Sequence, residues 1–177
     1  MTTISGAVTV GEYPDEIPDG YKDEVWVQQG SQEDEVNLCD ERLAPRLAVS
    51  HMAGDLVWRR HIEERVIAIA SQRGTQAYLI DLAAWRILRR IDLRRDEDSY
   101  WNRTEILATP DESRCVLLSD TRIHVVTWRG VLLYIRRIET TDQFVSLGND
   151  SITLMDEPNG GLIFTMPFLR NLPSLTT

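Results

Sequence analysis

Val66-Ile-Ala-Ile-Ala-Ser-Gln-Arg-Gly-Thr-Gln-Ala-Tyr-Leu-Ile-Asp81 holds two short apolar runs on either side of a polar break, Gln72-Arg-Gly-Thr75. The runs are too short for stable helices and the break is too short for a crossover helix, so they read as two antiparallel strands joined by a tight turn. Working outward, the same plan recurs. Apolar runs occur at Leu47–Ser50, Leu56–Ile62, Val66–Ala70, Ala77–Leu82, Arg86–Leu93, Ile106–Ala108, Val116–Ser119, Ile123–Trp128, Val131–Ile138, Phe144–Leu147, Ile152–Met155 and Leu162–Met166. Nearly all are rich in β-branched or aromatic residues, which favours strands. Turn chemistry separates them at Thr109-Pro-Asp-Glu112, Arg129-Gly130, Gly148-Asn-Asp150 and Asn159-Gly-Gly161. The expected fold is all-β: a succession of antiparallel meander sheets.

Two segments compete with that reading. Asp81-Leu-Ala-Ala-Trp-Arg-Ile-Leu-Arg-Arg90 contains good helix formers, and Leu82, Trp85 and Leu88 recur at a spacing of three, so a helix is the alternative there. A short helix at Asp40–Leu43, ahead of Pro45, is a second alternative.

Apolar strands begin at Leu56, Ile87, Leu132 and Leu162, intervals of 31, 45 and 30 residues. Between the closer neighbours the plan repeats: Phe144-Val-Ser-Leu-Gly-Asn-Asp-Ser-Ile-Thr-Leu-Met-Asp156 matches Val66–Asp81 with a shorter turn. Units of this size are the mark of propeller blades or stacked sheets. On these residues the chain resembles the blades of WD-repeat and quinoprotein-like β-propellers over about residues 46–168. Tyr78-Leu-Ile-Asp-Leu82 followed by Arg86-Ile-Leu-Arg-Arg90 resembles the third and fourth strands of a blade. Thr109-Pro-Asp-Glu-Ser113 resembles the hairpin opening the next. The Gly-His and Trp-Asp dipeptides of WD repeats are missing, and the length suits three or four blades. The resemblance therefore implies a partial propeller; a β-sandwich of two meander sheets is the alternative.

The chain of 177 residues, 42% hydrophobic and 27% charged, is read as one domain with its own core. Residues 1–45 form an acidic segment with one or two strands, among them Ile4–Val10 and Glu24–Gln28. Residues 46–168 carry the meander units and 169–177 a tail. The first 45 residues hold 11 Asp or Glu against Lys22 and Arg42, so the whole formal charge of −9 lies there. Such a segment repels phosphate backbones and anionic membranes and attracts basic proteins. Nucleic-acid and membrane partners are therefore not expected. The first residues lack the basic and apolar regions of a signal peptide, and no run approaches the roughly 20 apolar residues of a membrane span, so a cytoplasmic protein is expected.

No catalytic, metal or cofactor site is expected. Cys39 and Cys115 belong to no close-spaced cluster. His51 and His61 lie near neighbouring strands and are able to approach each other, but supply only two ligands. Ser50, Asp55 and His61 make a nominal triad without a nucleophile elbow. The carboxylate runs Asp15-Glu16, Glu33-Asp34-Glu35 and Asp96-Glu-Asp98 lie in polar loops, where solvent levels their pKa values. The Arg pairs at 59–60, 89–90, 94–95 and 136–137 either pair with loop acids at strand ends or form a rim with Trp58, Trp85 and Tyr134. The residues chosen as partner contacts are Tyr13, Asp15, Glu16, Trp26, Glu33, Asp34, Glu35, Tyr100 and Trp101. They imply a protein-binding module, of the type of a bacterial toxin-neutralising immunity protein, whose partner has a basic surface. A loop-end ligand or enzymatic pocket, and self-association into a homo-oligomer, are the alternatives.

Overall fold

A computed structural model describes residues 2–3, 25–93, 104–138, 142–156 and 161–168. The chain divides into two compact units, Met1–Leu93 and Arg94–Thr177. In the first, one sheet joins β1 (Thr2–Thr3), β2 (Trp26–Gln29), β3 (Val36–Cys39) and β4 (Pro45–Val49), and a second joins β5 (Leu56–His61), β6 (Val66–Ser71), β7 (Gln76–Asp81) and β8 (Arg86–Asp92). In the other unit, a third sheet joins β9 (Thr104–Ala108), β10 (Arg114–Ser119), β11 (Arg122–Thr127) and β12 (Leu132–Arg137). The fourth sheet has three strands, β13 (Asp142–Leu147), β14 (Ser151–Asp156) and β15 (Leu162–Pro167). Every sheet is antiparallel and its strands pair in chain order. The described residues form no helix. The strands thus divide among four sheets, not two, and each sheet is a self-contained meander, which is the plan of a propeller blade. The chain is all-β and partial-propeller-like.

The strands form where the sequence puts apolar side chains on a face that another sheet covers. In the first unit Val27, Val36, Leu38 and Val49 of one sheet meet Ile67, Ile69, Tyr78 and Ile80 of the next, with Trp58 and Trp85 packed at the margin. In the other, Val116, Leu118, Ile123 and Val125 meet Ile152, Leu154 and Met166. The inner strands β6, β7, β10 and β11 are buried on both faces, which is why they read as nearly continuous apolar runs.

Both helix alternatives give way to turns. Asp81 Oδ1 accepts the amides of Ala83 at 2.9 Å and Ala84 at 3.1 Å, and the chain reverses through Trp85 at φ 50° into β8. The helix-like spacing of Leu82, Trp85 and Leu88 has a different origin. Leu82 and Trp85 dip into the core, and Leu88 is the extra residue where the β7–β8 register shifts. Asp40 repeats the device: Oδ1 accepts the amides of Arg42 and Ala44, with Leu43 at φ 60°. An Asp side chain that closes its own turn competes with helix formation.

As expected, β7 and β8 are the third and fourth strands of their sheet, and residues 109–113 join β9 to β10 at the opening of the next. The two matching hairpins, however, hold different places: β6–β7 is the middle pair of its sheet, whereas β13–β14 begins one. A whole sheet, β1 to β4, is built within residues 2–49; β3 was not among the strands read from the sequence, and the run Ile4–Val10 lies outside the described residues.

Candidate interaction surface

The acidic loop after β2 is a closed turn. Gln29 Nε2 donates to the carbonyls of Gln32, Glu33 and Glu35 at 2.9–3.1 Å, and Glu35 Oε1 accepts the amide and hydroxyl of Ser31. Glu35 is therefore engaged in holding the turn. Asp34 lies 3.6 Å from His51 Nδ1, and its carbonyl accepts the amide of Met52. Glu33 is exposed. Trp26 corrects the expectation of a surface anchor: it is 2% exposed, a core residue with no face for a partner. Its alternating neighbours in Glu24–Gln28 suggested a one-sided strand, but both sides of β2 are covered at Trp26. Tyr13, Asp15, Glu16, Tyr100 and Trp101 lie outside the described residues, as do Asp96–Asp98 and the Arg94–Arg95 pair.

The histidines do not converge. His51 lies in the loop after β4, beside the β6–β7 turn, where Arg73 donates to the Ala53 carbonyl and Gln72 to that of Asp55. His61 ends β5 opposite Val66, at the far end of a six-residue strand, about 17 Å away. Asp55, just before β5, is parted from His61 by the whole length of that strand, so the nominal triad is not assembled. His61 Nδ1 accepts the amide of Glu64, and His124 is buried within β11. Among the described residues no group of three His, Cys, Asp or Glu is placed to hold a metal ion. Both cysteines are buried, and no disulfide joins them. Burial, aided by the Asp40 carboxylate, pushes the Cys39 thiol up to about 11, so it remains protonated at neutral pH. Burial also raises the Tyr78 phenol, whose hydroxyl donates within bonding distance of the Ser50 carbonyl and Gln76 Oε1.

The arginine–aromatic rim resolves into anchored pieces. Arg46 stacks over Trp85 at 5.9 Å, and Tyr134 meets Phe168 at 5.8 Å. Trp58, Trp85 and Tyr134 are partly buried against the two cores. What sequence reasoning missed is β12. On this last strand of the third sheet Leu133 and Ile135 are each 47% exposed and Val131, just before it, 56%, with exposed Arg136 and Arg137 closing the row. The run Val-Leu-Leu-Tyr-Ile reads as an apolar strand, and its edge position depends on sheet order, which local pattern does not carry. An apolar row ended by arginines has the composition of a protein-contact surface.

Comparison with solved structures finds likeness of fold alone. The chain is similar to BamB from Moraxella catarrhalis, at 13% identity and TM-score 0.47, over 85% of this chain and 51% of that one. It is similar to Hsv2 from Kluyveromyces marxianus at 12% identity and TM-score 0.45, over 82% and 56% of the two chains. A third likeness is to the β-propeller domain of Cps50 (Swd1) from Myceliophteria thermophila, at 13% identity and TM-score 0.28, over 87% and 64%. The chain spans about half the length of the first two. These neighbours are β-propeller proteins. No protein family matches the chain, and no curated protein does.

Proposed function

We propose that this chain is a non-enzymatic protein–protein interaction module. The observation that carries the reading is the exposed apolar row of Val131, Leu133 and Ile135, ended by Arg136 and Arg137. Burying such a row against a partner supplies the apolar contact, and the guanidinium groups supply hydrogen bonds at its margin. The concentration of the −9 charge in the first 45 residues adds long-range steering toward a partner with a basic surface. Within this class the reading is a small bacterial cytoplasmic protein that neutralises a basic protein, in the manner of a toxin-neutralising immunity protein.

The test is affinity capture from the native cell, with wild type beside the double variant Leu133→Lys/Ile135→Lys and the charge reversal Asp15→Lys/Glu16→Lys/Glu33→Lys. The β12 variant is expected to lose the partner. The charge variant is expected to retain it with association slowed about tenfold at low salt and little changed at high salt. Undiminished capture by the β12 variant would remove the surface from the reading. Turnover of a small substrate that disappears on replacing His51, His61 or His124 would remove the non-enzymatic assignment.

A further inference from the structure

Among the described residues the fourth sheet has three strands where the others have four, and the geometry shows which place is open. The amide of Ile138, just past β12, bonds the carbonyl of Thr121 at the turn between β10 and β11. From that end β13 runs to residues 148–150, which meet the β9–β10 turn: Asp111 N donates to Asn149 Oδ1 at 3.0 Å and Arg114 pairs with Asp150 at 2.7 Å. β13 therefore runs in the direction of β9, a first strand, so β15 holds the place of β7 and β11. Those two strands are flanked on both sides and buried along their middles. β15 has a neighbour on one side only among the described residues, and Ile163 is 66% exposed.

The sequence of this edge is protected only at its end, by Pro167. Every other edge strand longer than two residues carries an ionised side chain, and β4, β8, β12 and β13 also have an irregular register. Charges and bulges of this kind keep edges from pairing. β15, Leu-Ile-Phe-Thr-Met-Pro, has no charge, and its register against β14 runs unbroken from Leu162 to Pro167. The outward groups follow from the ladder. Phe168 N donates to Asp150 O at 2.7 Å, so alternate residues 166, 164 and 162 turn their backbone bonds to β14, and those of Ile163, Thr165 and Pro167 face out. Pro167, which has no N–H, stands where none is needed.

We propose that this edge pairs with the same edge of a second copy of the chain, β15 against β15 in antiparallel register. With Ile163 opposite Thr165 of the second copy and Phe164 on the twofold axis, the outward amides and carbonyls of both residues satisfy one another, as an isologous contact requires. A charged partner strand finds no ion to pair with along β15. Two copies, each of net charge −9, meet there without placing one strand charge against another. A single pair of strands buries less than the roughly 1,200 Å² of standard interfaces, so the dimer is weak, roughly micromolar or looser.

Sedimentation velocity from about 1 to 300 µM, with amide hydrogen exchange at both ends of the range, tests it. Wild type is expected to pass from monomer to dimer, with the Ile163 and Thr165 amides protected only at high concentration. Ile163→Lys places a charge on the seam, and Thr165→Pro deletes an outward donor while leaving the backbone bonds to β14, at the loss of the Thr153–Thr165 hydroxyl bond. Both are expected to stay monomeric throughout with a wild-type circular dichroism spectrum. A wild-type chain monomeric at the top of the range overturns the proposal. So does protection of these amides at every concentration, which would mean that another segment of the chain fills the place, and so does dimerisation that both variants retain.

Discussion

β6 and β14 are both inner strands of antiparallel meanders, yet they are written differently. β6 is Val-Ile-Ala-Ile-Ala-Ser and is buried at every position; β14 is Ser-Ile-Thr-Leu-Met-Asp, in which only Ile152 and Leu154 are buried. The strand geometry is the same, with side chains alternating between faces. What differs is how many faces are covered. Ile67 and Ile69 pack toward the first sheet while Ala68 and Ala70 are equally buried on the opposite face. In the fourth sheet Ile152 and Leu154 enter the core, and the other face carries the Thr153–Thr165 hydroxyl pair at 2.9 Å and an exposed Val145. The period of the apolar pattern therefore reports the number of covered faces as well as the presence of a strand.

The sharpest way to break this comparison is to put a carboxylate at corresponding depths. Ala68→Asp buries an unpaired charge in β6 and is expected to cost about 3–5 kcal/mol, enough to unfold its unit or leave the carboxyl neutral. Thr153→Asp, on the open face of β14, forfeits one hydroxyl bond and is expected to cost about 1 kcal/mol or less. Denaturant midpoints followed by tryptophan fluorescence give both values. Equal losses would mean that the open face is covered in solution.

Glycines extend the same contrast at a smaller scale. A Cβ at Gly74 would strike the His51 carbonyl and the Ser71 hydroxyl, where the loop after β4 crosses the β6–β7 turn. Gly74→Ala must push apart backbone that joins two sheets, at about 1–3 kcal/mol. At Gly161 the obstacle is conformational. Its φ is +77° and the nearest atom to an added Cβ is Met155 Sδ at 3.7 Å, so Gly161→Ala is expected to cost about 1 kcal/mol through the left-handed backbone alone. Thermal melts of the two variants should fall in that order; the reverse order would place the tighter packing in the fourth sheet.

Much of the fold was legible because its evidence is local. The twelve apolar runs from Leu47 onward all became strands, and turns such as residues 72–75 were short enough to force antiparallel pairing. β3 escaped because Val36-Asn-Leu-Cys39 is brief and follows an acidic loop, and its apolar face emerges only once β2 and β4 flank it. The candidate surface was much less legible. Trp26 looked like an anchor because composition marks tryptophan for interfaces, whereas its depth is set by what lies over β2. Leu133 and Ile135 were read only as members of an apolar strand, and their exposure is set by sheet order. Residue type is written at each position, and coverage is a property of the assembled sheets.

The smallest expected effect concerns a turn, and pH isolates it. The Asp81 carboxyl is held below its ordinary value, foremost by the Ala84 amide, then by the Ala83 amide and by Arg86, with partial burial opposing them. Its folded value lies below its unfolded one, so the stabilisation is fully present above about pH 4 and is lost as pH falls through the folded value. Asp81→Asn retains an oxygen to accept the amides but gives up the charge. At pH 7 the variant should be weaker by less than about 1 kcal/mol, because Arg86 is exposed and its ion pair with Asp81 is screened. As pH falls from about 4 through the folded value the two proteins should converge, since protonation makes the wild-type group as neutral as the amide. The carboxyl of Asp111 in the other unit is lowered by the Thr109 hydroxyl first and then by Ser113, so it titrates in both proteins and cancels from the difference. A gap between wild type and variant that persists unchanged at pH 3 would assign the turn's stability to the shape of the side chain and not to its charge.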